Sequence, residues 1–266
     1  MIKQNGTYLV MGLLDTESIA YSIGKTIQKW GGTVIYTAQN ERFKRLLLDP
    51  SLKDLPEEER RKIRVEFCDV TIEDDLKNLF ANIGTLDGIV HSIAYCNPKT
   101  CLGDEFHTDA VDDIKLGFHI SCASLGSVVR YAYPKMPNGG SVVTLTFDSR
   151  HAYAYYNWMS VNKAALEALV RGLARRHGKD YIRVNAVSAG PLVTKAASKI
   201  PGFGHLSETW NLISPIPWDA NEDRQAVADA VVYLLGEYSK KITGQTLFVD
   251  GGASIVGGAI MDHERA

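Results

Sequence analysis

The sequence predicts an α/β fold of the Rossmann-like, doubly wound kind, with one parallel sheet of about seven strands and helices on both faces. Two observations lead to this prediction. Short β-branched or apolar runs alternate along the chain with longer segments of helical period. Strand, helix and strand repeated in this way imply right-handed crossovers and a sheet covered on both sides. A length of 266 residues fits a single domain, 1–266.

Seven short segments have the composition of buried strands. In chain order they are TYLVMG, GTVIYTA, IRVEFCDV, LDGIVHSIAY, GGSVVTLTF, IRVNAVSAG and GQTLFVDGG. Helical period is found at residues 18–30, 41–48, 73–82, 108–133, 156–177 and 221–236. Glycines mark the boundaries, since Gly31 and Gly32 follow the first helix and Gly178 follows the long one. The charged segment DPSLKDLPEEERRK is predicted to be a solvated helical excursion.

Composition excludes several classes of function. The formal net charge is -2 and there is no basic stripe, so neither nucleic acid nor a membrane surface is an expected partner. The four cysteines have no CxxC spacing and no matching histidine cluster, so no metal site is expected. No apolar run approaches the ~20 residues of a membrane span, and the start lacks a signal-peptide pattern. We therefore expect a cytoplasmic protein that binds a small molecule.

The first strand-to-helix turn, MGLLDTESIA, is the predicted phosphate site. In a doubly wound sheet this turn meets a pyrophosphate through amide groups at a helix N-terminus. Gly12 stands alone where a glycine-rich turn is usual, so a tight turn that merely packs is an equal alternative. The hydroxyl group of Ser18 and the amides of Ser18 and Ile19 favour phosphate binding. Asp15 and Glu17 oppose it unless they point to solvent.

The ends of the second and third strands bear on the choice of cofactor. In YTAQNER, Gln39 and Asn40 stand where an acid would bind a ribose 2′-hydroxyl and a basic group a 2′-phosphate. Arg42 comes only after an intervening acid, so NADH is favoured, with NADPH as the alternative. Asp69 and Val70 end the third strand, where a carboxylate can accept the adenine amino group. The alternative is that Asp69 caps the next helix.

The segment FDSRHAYAYYNWMSVNK, 147–163, carries three tyrosines ahead of one lysine. On a helix, Tyr156 and Lys163 lie within about 20° of one face, whereas Tyr155 lies about 80° away from it. Helical side chains lean toward the N-terminus, so Lys163 reaches back toward Tyr156. We expect the ammonium group to stabilise the ionised phenol, which makes Tyr156 a better proton donor. The alternative is an ordinary amphipathic helix, which its position after the fifth strand disfavours.

Taken together, these motifs resemble the short-chain dehydrogenase/reductase superfamily, in the divergent branch of type I enoyl-[acyl-carrier-protein] reductases. GLLDTESIA is similar to the branch's G-x5-S-x-A motif, and YNWMSVNK is similar to its Y-x2-M-x3-K motif. Three further segments also resemble the branch: VHSIAY, SAGPLVTKAAS and VDGG. The resemblance extends from about Gly6 to the end of the chain. The resemblance implies NAD(P)H-dependent reduction of the 2,3 double bond of a trans-2-enoyl thioester in fatty acid biosynthesis. It also implies acyl carrier protein or coenzyme A as the acyl carrier, and a homotetramer.

The resemblance assigns a role to each site residue. Tyr156 would stabilise the enolate and Lys163 would anchor the cofactor ribose, below a lid at 194–218 that is expected to be mobile without cofactor. Phe147 stands where many members of the branch have a second tyrosine, and the alternative for it is a core aromatic residue. The cofactor-binding residues would be Gly12, Ser18, Ile19, Gln39, Asp69, Val70, Ser92, Ile93, Ala94, Lys163 and Thr194, and the substrate-binding residues Tyr95, Phe147, Tyr156, Met159, Ala196 and Ile200.

Other functions stay open. A reductase of 3-ketoacyl thioesters or small ketones would need a carbonyl-binding hydroxyl, but Thr144, near the usual spacing, is predicted to be buried in a strand. A non-catalytic dinucleotide-binding sensor would keep the fold without needing the tyrosine and lysine pair. His91, Asp148 and His151 are predicted to be structural polar residues and not a hydrolytic triad, because no G-x-S-x-G elbow accompanies them.

Overall fold

The computed structural model describes residues 1–103 and 105–257. Within them, seven strands form one parallel sheet in the order β3-β2-β1-β4-β5-β6-β7. The strands are β1 Thr7–Met11, β2 Thr33–Ala38, β3 Arg64–Phe67, β4 Gly88–His91, β5 Gly140–Thr146, β6 Ile182–Ala189 and β7 Thr246–Val249. All seven predicted strands are confirmed, and with them the doubly wound fold. The predicted end of the domain at residue 266 lies outside the described residues.

Helices cover both faces of this sheet. They are α1 Ile19–Lys29, α2 Glu41–Phe43, α3 Asp49–Ser51, α4 Glu57–Arg61, α5 Glu73–Asn82, α6 Val111–Phe118, α7 Ser124–Ala132, α8 Asn157–His177, α9 Phe203–Ile213 and α10 Arg224–Leu235. The prediction of a helix at 73–82 is confirmed at both ends by α5. The predicted helix 108–133 is instead α6 and α7 joined by a π-helical segment, His119–Ala123, and a second π-helical segment, Lys44–Leu48, follows α2.

The sheet is buried on both faces because its strand residues alternate. On β1, Tyr8 and Val10 pack in one core with α1 and α10, while Leu9 and Met11 pack in the opposite core with α5, α7 and α8. Full burial of one such side chain contributes roughly 1.5–3 kcal/mol, whereas an exposed ion pair contributes about 0–1 kcal/mol. The two apolar cores therefore hold the fold, not the surface charges.

The charged segment before β3 is helical and solvated, as the sequence predicts. It contains α3 and α4, and α4 carries exposed ion pairs at helical spacing between Glu57 and Arg61 and between Glu58 and Lys62. Among residues 1–103 and 105–257, none of the helices combines the length and apolar character of a membrane span. The same residues include no group of three His, Cys, Asp or Glu side chains arranged to hold a metal ion.

Candidate active site

The strand order reverses between β1 and β4, so a crevice opens at the carboxyl ends of these two strands. Gly12 leaves β1 there with a φ of 91°. A Cβ atom on Gly12 would lie 2.1 Å from the carbonyl oxygen of Ser92, so a residue with a side chain cannot occupy this position. The lone glycine of the first turn is thus required for the close approach of the turn to the end of β4.

Ser18 begins α1 as its N-cap. Its hydroxyl group donates to the carbonyl of Asp15 at 2.6 Å and accepts from the amide of Tyr21 at 3.3 Å. The amide of Ser18 also donates to the Asp15 carbonyl, at 3.3 Å, so the predicted contacts of Ser18 with a phosphate would require these donors to leave the turn. The amide of Ile19 has no hydrogen-bond acceptor among the described residues, as expected for the first turn of a helix, and it is free to meet an anion.

Both acids of the first turn are neutralised by cations from other segments. Asp15 is 1% exposed. One of its carboxylate oxygens lies 3.0 Å from Nζ of Lys195 and forms an ion pair with it, although the geometry is not that of a hydrogen bond. Exposed Glu17 pairs with Arg224 at 2.8 Å. The sequence suggested that these acids would repel phosphate unless solvated. In the structure Lys195 and Arg224 offset that repulsion.

The ends of β2 and β3 are joined by a side-chain contact. Nε2 of Gln39 donates to a carboxylate oxygen of Asp69 at 2.7 Å, and the other oxygen accepts from the amide and the hydroxyl of Thr71. Although partial burial raises the pKa of Asp69, these hydrogen bonds lower it below its ordinary value. Asp69 therefore caps the turn into α5, and it also contacts Gln39 at the predicted adenosine end. Val70 is buried behind them.

The segment after β4 runs across the crevice. The amide of Ser92 donates to the carbonyl of Met11 at 3.3 Å, Ile93 packs against the core, and Ala94 is exposed. The amide and the carbonyl of Tyr95 both bond to the hydroxyl group of Ser121, which leaves the phenol exposed. Ser92, Ile93 and Ala94 thus line the same edge as Gly12, as the sequence predicts.

Tyr156 lies one residue before α8 and not within it. Its φ of -110° and ψ of 39° are not helical, and its carbonyl accepts the amide of Ser160 as the N-cap position requires. The loop holding Gly103 fixes it from the other side, through a bridge with Tyr156 and a hydrogen bond from the Gly103 amide to the Tyr155 carbonyl. The helical-wheel prediction for Tyr156 is therefore wrong in detail, because this loop holds the backbone outside the helix.

The three tyrosines differ in what their rings and hydroxyl groups contact. Tyr153 donates to the buried carboxylate of Asp148 at 2.9 Å. Tyr155 has a φ of 65° and packs over the backbone of Gly202. The Tyr156 hydroxyl makes no hydrogen bond with any described residue, and its ring meets the ring of Phe147 edge-on at 4.8 Å. The Tyr155 hydroxyl also makes no hydrogen bond with the described residues, but its ring lies against Gly202. Of the three, Tyr156 is thus the one whose unbonded phenol lies beside Phe147 at the end of β5.

The pKa of Tyr156 is raised above its ordinary value. Burial is the main cause, and the neighbouring Cys96 thiol adds to it. The predicted lowering of this pKa by Lys163 is therefore wrong for the protein as described here. The physical reason is that Nζ of Lys163 donates to the carbonyl of Leu145 at 3.0 Å and points its charge at the strand. A phenol that stays protonated can still donate a hydrogen bond to a developing oxyanion.

Lys163 is 5% exposed. Burial lowers its pKa to about 8, although the carboxylate of Glu167, one helical turn further along α8, acts in the opposite direction. Glu167 is itself buried, and its two oxygens accept from the hydroxyl groups of Thr146 and Ser149, each at 2.9 Å. The sequence analysis missed Glu167, although its spacing of four residues from Lys163 was a signal for it.

Phe147 belongs to an aromatic cluster that joins the site to the 194–218 segment. Its ring lies 4.8 Å from Tyr153 and 5.3 Å from Trp210, which is 1% exposed. The indole of Trp210 donates to the carbonyl of Asp250 at 3.0 Å. Phe147 is therefore a buried core aromatic residue, and its contact with the Tyr156 ring is consistent with a place in the wall of the substrate pocket, which stays a prediction. The burial of Trp210 within this segment was not predicted.

The predicted acyl side forms a small apolar cluster. Met159 packs with Cys96, Cys101 and Leu102, and Ile200 and Tyr156 pack against them. Thr194 accepts the amide of Ala197 through its hydroxyl group at 3.0 Å, which begins a short turn, and Ala196 is exposed. The structure thus brings Met159, Ile200, Phe147 and Tyr156 together, while Tyr95 and Ala196 lie at exposed positions.

The polar residues that suggested a triad are structural. His91 is fully buried between the hydroxyl groups of Thr144 and Ser124, and burial lowers its pKa to about 3, so it is neutral. Asp148, 1% exposed, accepts hydrogen bonds from Arg150, His151 and Tyr153. Thr144 is buried in β5, as predicted, and its hydroxyl group donates to the carbonyl of His91.

The sheet order, the glycine turn at the switch point, and a tyrosine and lysine pair after β5 define a nicotinamide-dependent reductase of the short-chain type. Comparisons with known proteins narrow this class. Residues 12–254 match the family model described as enoyl-(acyl carrier protein) reductase, and the chain belongs to that family.

Two curated relatives and two solved structures show the extent of the similarity. The chain is 34% identical to the enoyl-[acyl-carrier-protein] reductase [NADPH] of Staphylococcus aureus, and the match covers 94% of this chain and 96% of the relative. It is 36% identical to the NADH enzyme of Rickettsia prowazekii, over 94% of each chain. The enoyl-acyl carrier protein reductase of Bacillus cereus, solved with NADP+ and indole naphthyridinone, has a TM-score of 0.85 at 33% identity, covering 96% of this chain and 98% of that one. The NADH enzyme of Aquifex aeolicus has a TM-score of 0.86 at 32% identity, with the same coverage.

Proposed function

We propose that this protein reduces the 2,3 double bond of a trans-2-enoyl thioester carried on acyl carrier protein, using NADH or NADPH, in fatty acid biosynthesis. The observation that carries the proposal is the free hydroxyl group of Tyr156, which lies beside Phe147 at the end of β5. Lys163 emerges from the helix that Tyr156 begins. Family membership supplies the substrate class, since the relatives are named for this substrate.

The residues present fit a dinucleotide. The uncommitted amide of Ile19 and the turn at Gly12 offer an anion site at the start of α1. Gln39 and Asp69 lie at the adenosine end, and Ser92, Ile93, Ala94 and Thr194 border the nicotinamide end. Lys163 would hold the ribose by turning its ammonium group from the Leu145 carbonyl toward it. When bound, NAD(P)H supplies the hydride that adds to C3 of the enoyl group.

Tyr156 stabilises the negative charge that develops on the thioester oxygen. Its raised pKa keeps the phenol protonated at neutral pH, so it acts as a hydrogen-bond donor to the enolate. Phe147 supports the Tyr156 ring edge-on without competing for the oxygen. Met159 and Ile200 form the apolar wall for the acyl chain. The protein thus contributes orientation and one well-placed donor.

The structure favours enoyl reduction over ketone reduction at one position. A carbonyl reductase of the same superfamily would place a hydroxyl group near the spacing of Thr144. Here that hydroxyl group is buried and donates to the carbonyl of His91. The substrate carbonyl would therefore be contacted by Tyr156 without a second side-chain hydroxyl from this strand.

We propose NADH as the preferred cofactor. Asn40 accepts the amide of Phe43 and so caps α2, and Gln39 is tied to Asp69. Neither side chain carries a positive charge for a 2′-phosphate, while Asp69 places a negative charge nearby. The preference is measured as the ratio of kcat/KM for NADH and NADPH. A ratio below one would contradict it.

We further propose that residues 194–218 are a lid and that the protein is a cytoplasmic homotetramer. The lid would move about its buried anchors, Trp210 and Trp218, because Leu212 and Ile216, both of which lie between them in sequence, are exposed. Apolar side chains exposed on α6, among them Leu116 and Phe118, give a surface for a second copy of the chain. Light scattering of the purified protein tests the assembly.

The reaction is tested with matched substrates. The purified protein is mixed with NADH or NADPH and either a trans-2-enoyl or a 3-oxoacyl thioester of acyl carrier protein with the same chain length. We expect loss of the reduced nicotinamide absorbance with the enoyl thioester alone. Oxidation with the 3-oxoacyl thioester alone would identify the protein as a ketoacyl reductase, and binding of NADH without turnover of either substrate would make it a sensor.

A further inference from the structure

Glu167 is a buried carboxylate that the proposed reaction does not use directly. It lies on α8, is 8% exposed, and receives one hydrogen bond on each oxygen. Thr146, the last residue of β5, donates to Oε1 and Ser149 donates to Oε2, both at 2.9 Å. Because a buried carboxylate is costly unless it is well paired, this two-hydroxyl cradle requires an explanation.

Lys163 is held by the same strand end. Its ammonium group donates to the carbonyl of Leu145 at 3.0 Å, and Leu145 directly precedes Thr146. Consecutive residues of β5 therefore hold the ammonium and the carboxylate. Since Lys163 and Glu167 are four residues apart on α8, both heads leave the same face of the helix. A buried cation and a buried anion thus share one wall of the site.

We propose that Glu167 is a positioning residue for Lys163, in which a carboxylate fixed by Thr146 and Ser149 keeps the buried lysine charged, so that its ammonium group can turn from the Leu145 carbonyl to the dinucleotide ribose. The ribose contact rests on the proposed function. The effect of Glu167 on the protonation of Lys163 does not depend on it, so the two parts can fail separately.

Lys163 and Glu167 make no direct ion pair, since the ammonium group is bound to Leu145 and the carboxylate to Thr146 and Ser149, so Glu167 acts on Lys163 through its nearby charge. Burial lowers its pKa to about 8, and Glu167 is the first of the groups that oppose this shift. The other titratable groups that face it are the thiols of Cys96 and Cys122, and His91, which is neutral. Without the carboxylate, the pKa of Lys163 falls below about 8, and the lysine loses its proton at a lower pH.

The test compares Glu167→Gln with Glu237→Gln. The first variant keeps the shape of the side chain, while the second removes the same charge from an exposed pair with Lys240. The pKa of Lys163 is measured by NMR of its labelled side chain in the protein without cofactor. The Kd of NADH is measured by fluorescence titration between pH 6 and pH 9, a range chosen to bracket the value of about 8.

We expect Glu167→Gln to lower the pKa of Lys163 by about one unit, which corresponds to a tenfold change in proton affinity. The rise of the NADH Kd with pH then begins about one pH unit lower, while the control follows the natural protein. Glu167→Met, which also removes the charge of the carboxylate, is expected to give a shift in the same direction. It takes the place of the glutamine variant if that variant does not fold.

An unchanged Lys163 pKa in Glu167→Gln, or in Glu167→Met where the glutamine variant does not fold, would overturn the proposal. An altered pKa with an NADH Kd curve identical to that of the natural protein would overturn the part concerning the ribose. Failure of the natural protein to reduce an enoyl thioester would refute the proposed function, and the lysine titration would still decide the role of Glu167.

Discussion

The two sides of the site are built differently. On the lysine side, formed by β5 and α8, Lys163 and Glu167 are buried and their heads are held by backbone and hydroxyl groups. On the turn side, formed by the β1–α1 turn and the segments that contact it, each ion pair joins an exposed side chain, Lys195 or Glu17, to a largely buried one, Asp15 or Arg224. Burial fixes geometry, whereas the exposed partner of such a pair can move at lower cost. The lysine side is thus suited to orient reacting groups, and the turn side to admit a charged ligand.

The largest expected effect is on chemistry at the lysine side. Tyr156→Phe removes the free hydroxyl group and leaves the ring against Phe147. Because a positioned proton or hydrogen-bond donor contributes about 10²–10⁴-fold to rate, kcat should fall by that order while the NADH Kd changes less than about threefold. Steady-state kinetics and NADH titration measure both quantities.

Tyr153→Phe is the matched control for this prediction. It removes a hydroxyl group that bonds to Asp148, so it is expected to lower stability by about 1 kcal/mol with a much smaller effect on kcat. Equal losses of kcat in the two variants would show that the aromatic cluster matters and that the Tyr156 hydroxyl does not.

The second largest effect is expected on NADH binding, when the charge of Lys163 is removed. Lys163→Met removes a charged donor whose hydrogen bonds contribute about 1.5–3 kcal/mol each, so the NADH Kd should rise about 10- to 100-fold. Stability is expected to fall as well, since removing one of two buried opposite charges leaves the carboxylate of Glu167 without its nearby cation. A lower melting temperature together with an unchanged NADH Kd would contradict this role.

The pH dependence of stability gives an independent check on Lys163. Its pKa is about 8 in the folded protein, below the ordinary 10.5. Between these values the unfolded chain holds more protons, so this lysine makes the free energy of unfolding rise with pH from about 8 toward 10.5. Chemical denaturation at several pH values should show this rise in the natural protein, and Lys163→Met should lack it.

The smallest effect is expected on the turn side. Lys195→Met leaves the buried carboxylate of Asp15 without its cation, so stability should fall. The NADH Kd should rise by about fivefold or less, because Lys195 itself is half exposed and an exposed charge contributes up to ~1 kcal/mol. The ratio of the two Kd values should approach one at ~1 M salt, where the Debye length is about 3 Å. A salt-independent ratio above tenfold would show that this side is as rigid as the lysine side.

Features that depend on local sequence could be predicted, whereas features that depend on tertiary contacts could not. The strands from Thr7–Met11 to Thr246–Val249 were predicted because apolar period and turn residues are local signals. Gly12 was predicted as a turn residue, but its approach to Ser92 depends on strand order. The position of Tyr156 outside α8 was missed because the loop at Gly103, far away in sequence, sets its backbone.

Side-chain partners were the least predictable part of the site. The hydroxyl cradle of Glu167 joins residues 18 and 21 positions apart, and the burial of Trp210 depends on Phe147 and on Asp250. Such contacts follow from tertiary packing and leave no periodic signal. The pKa of Tyr156 was predicted in the wrong direction for the same reason, since the direction depends on where Lys163 finds its acceptor.

The most direct test of the account is a crystal structure of the protein with NADH and a saturated acyl thioester. We predict that the Tyr156 hydroxyl lies within hydrogen-bond distance of the thioester oxygen, and that Nζ of Lys163 has moved from the Leu145 carbonyl to the nicotinamide ribose. A complex in which the Tyr156 hydroxyl turns away from the thioester, with Lys163 still bound to Leu145, would contradict it.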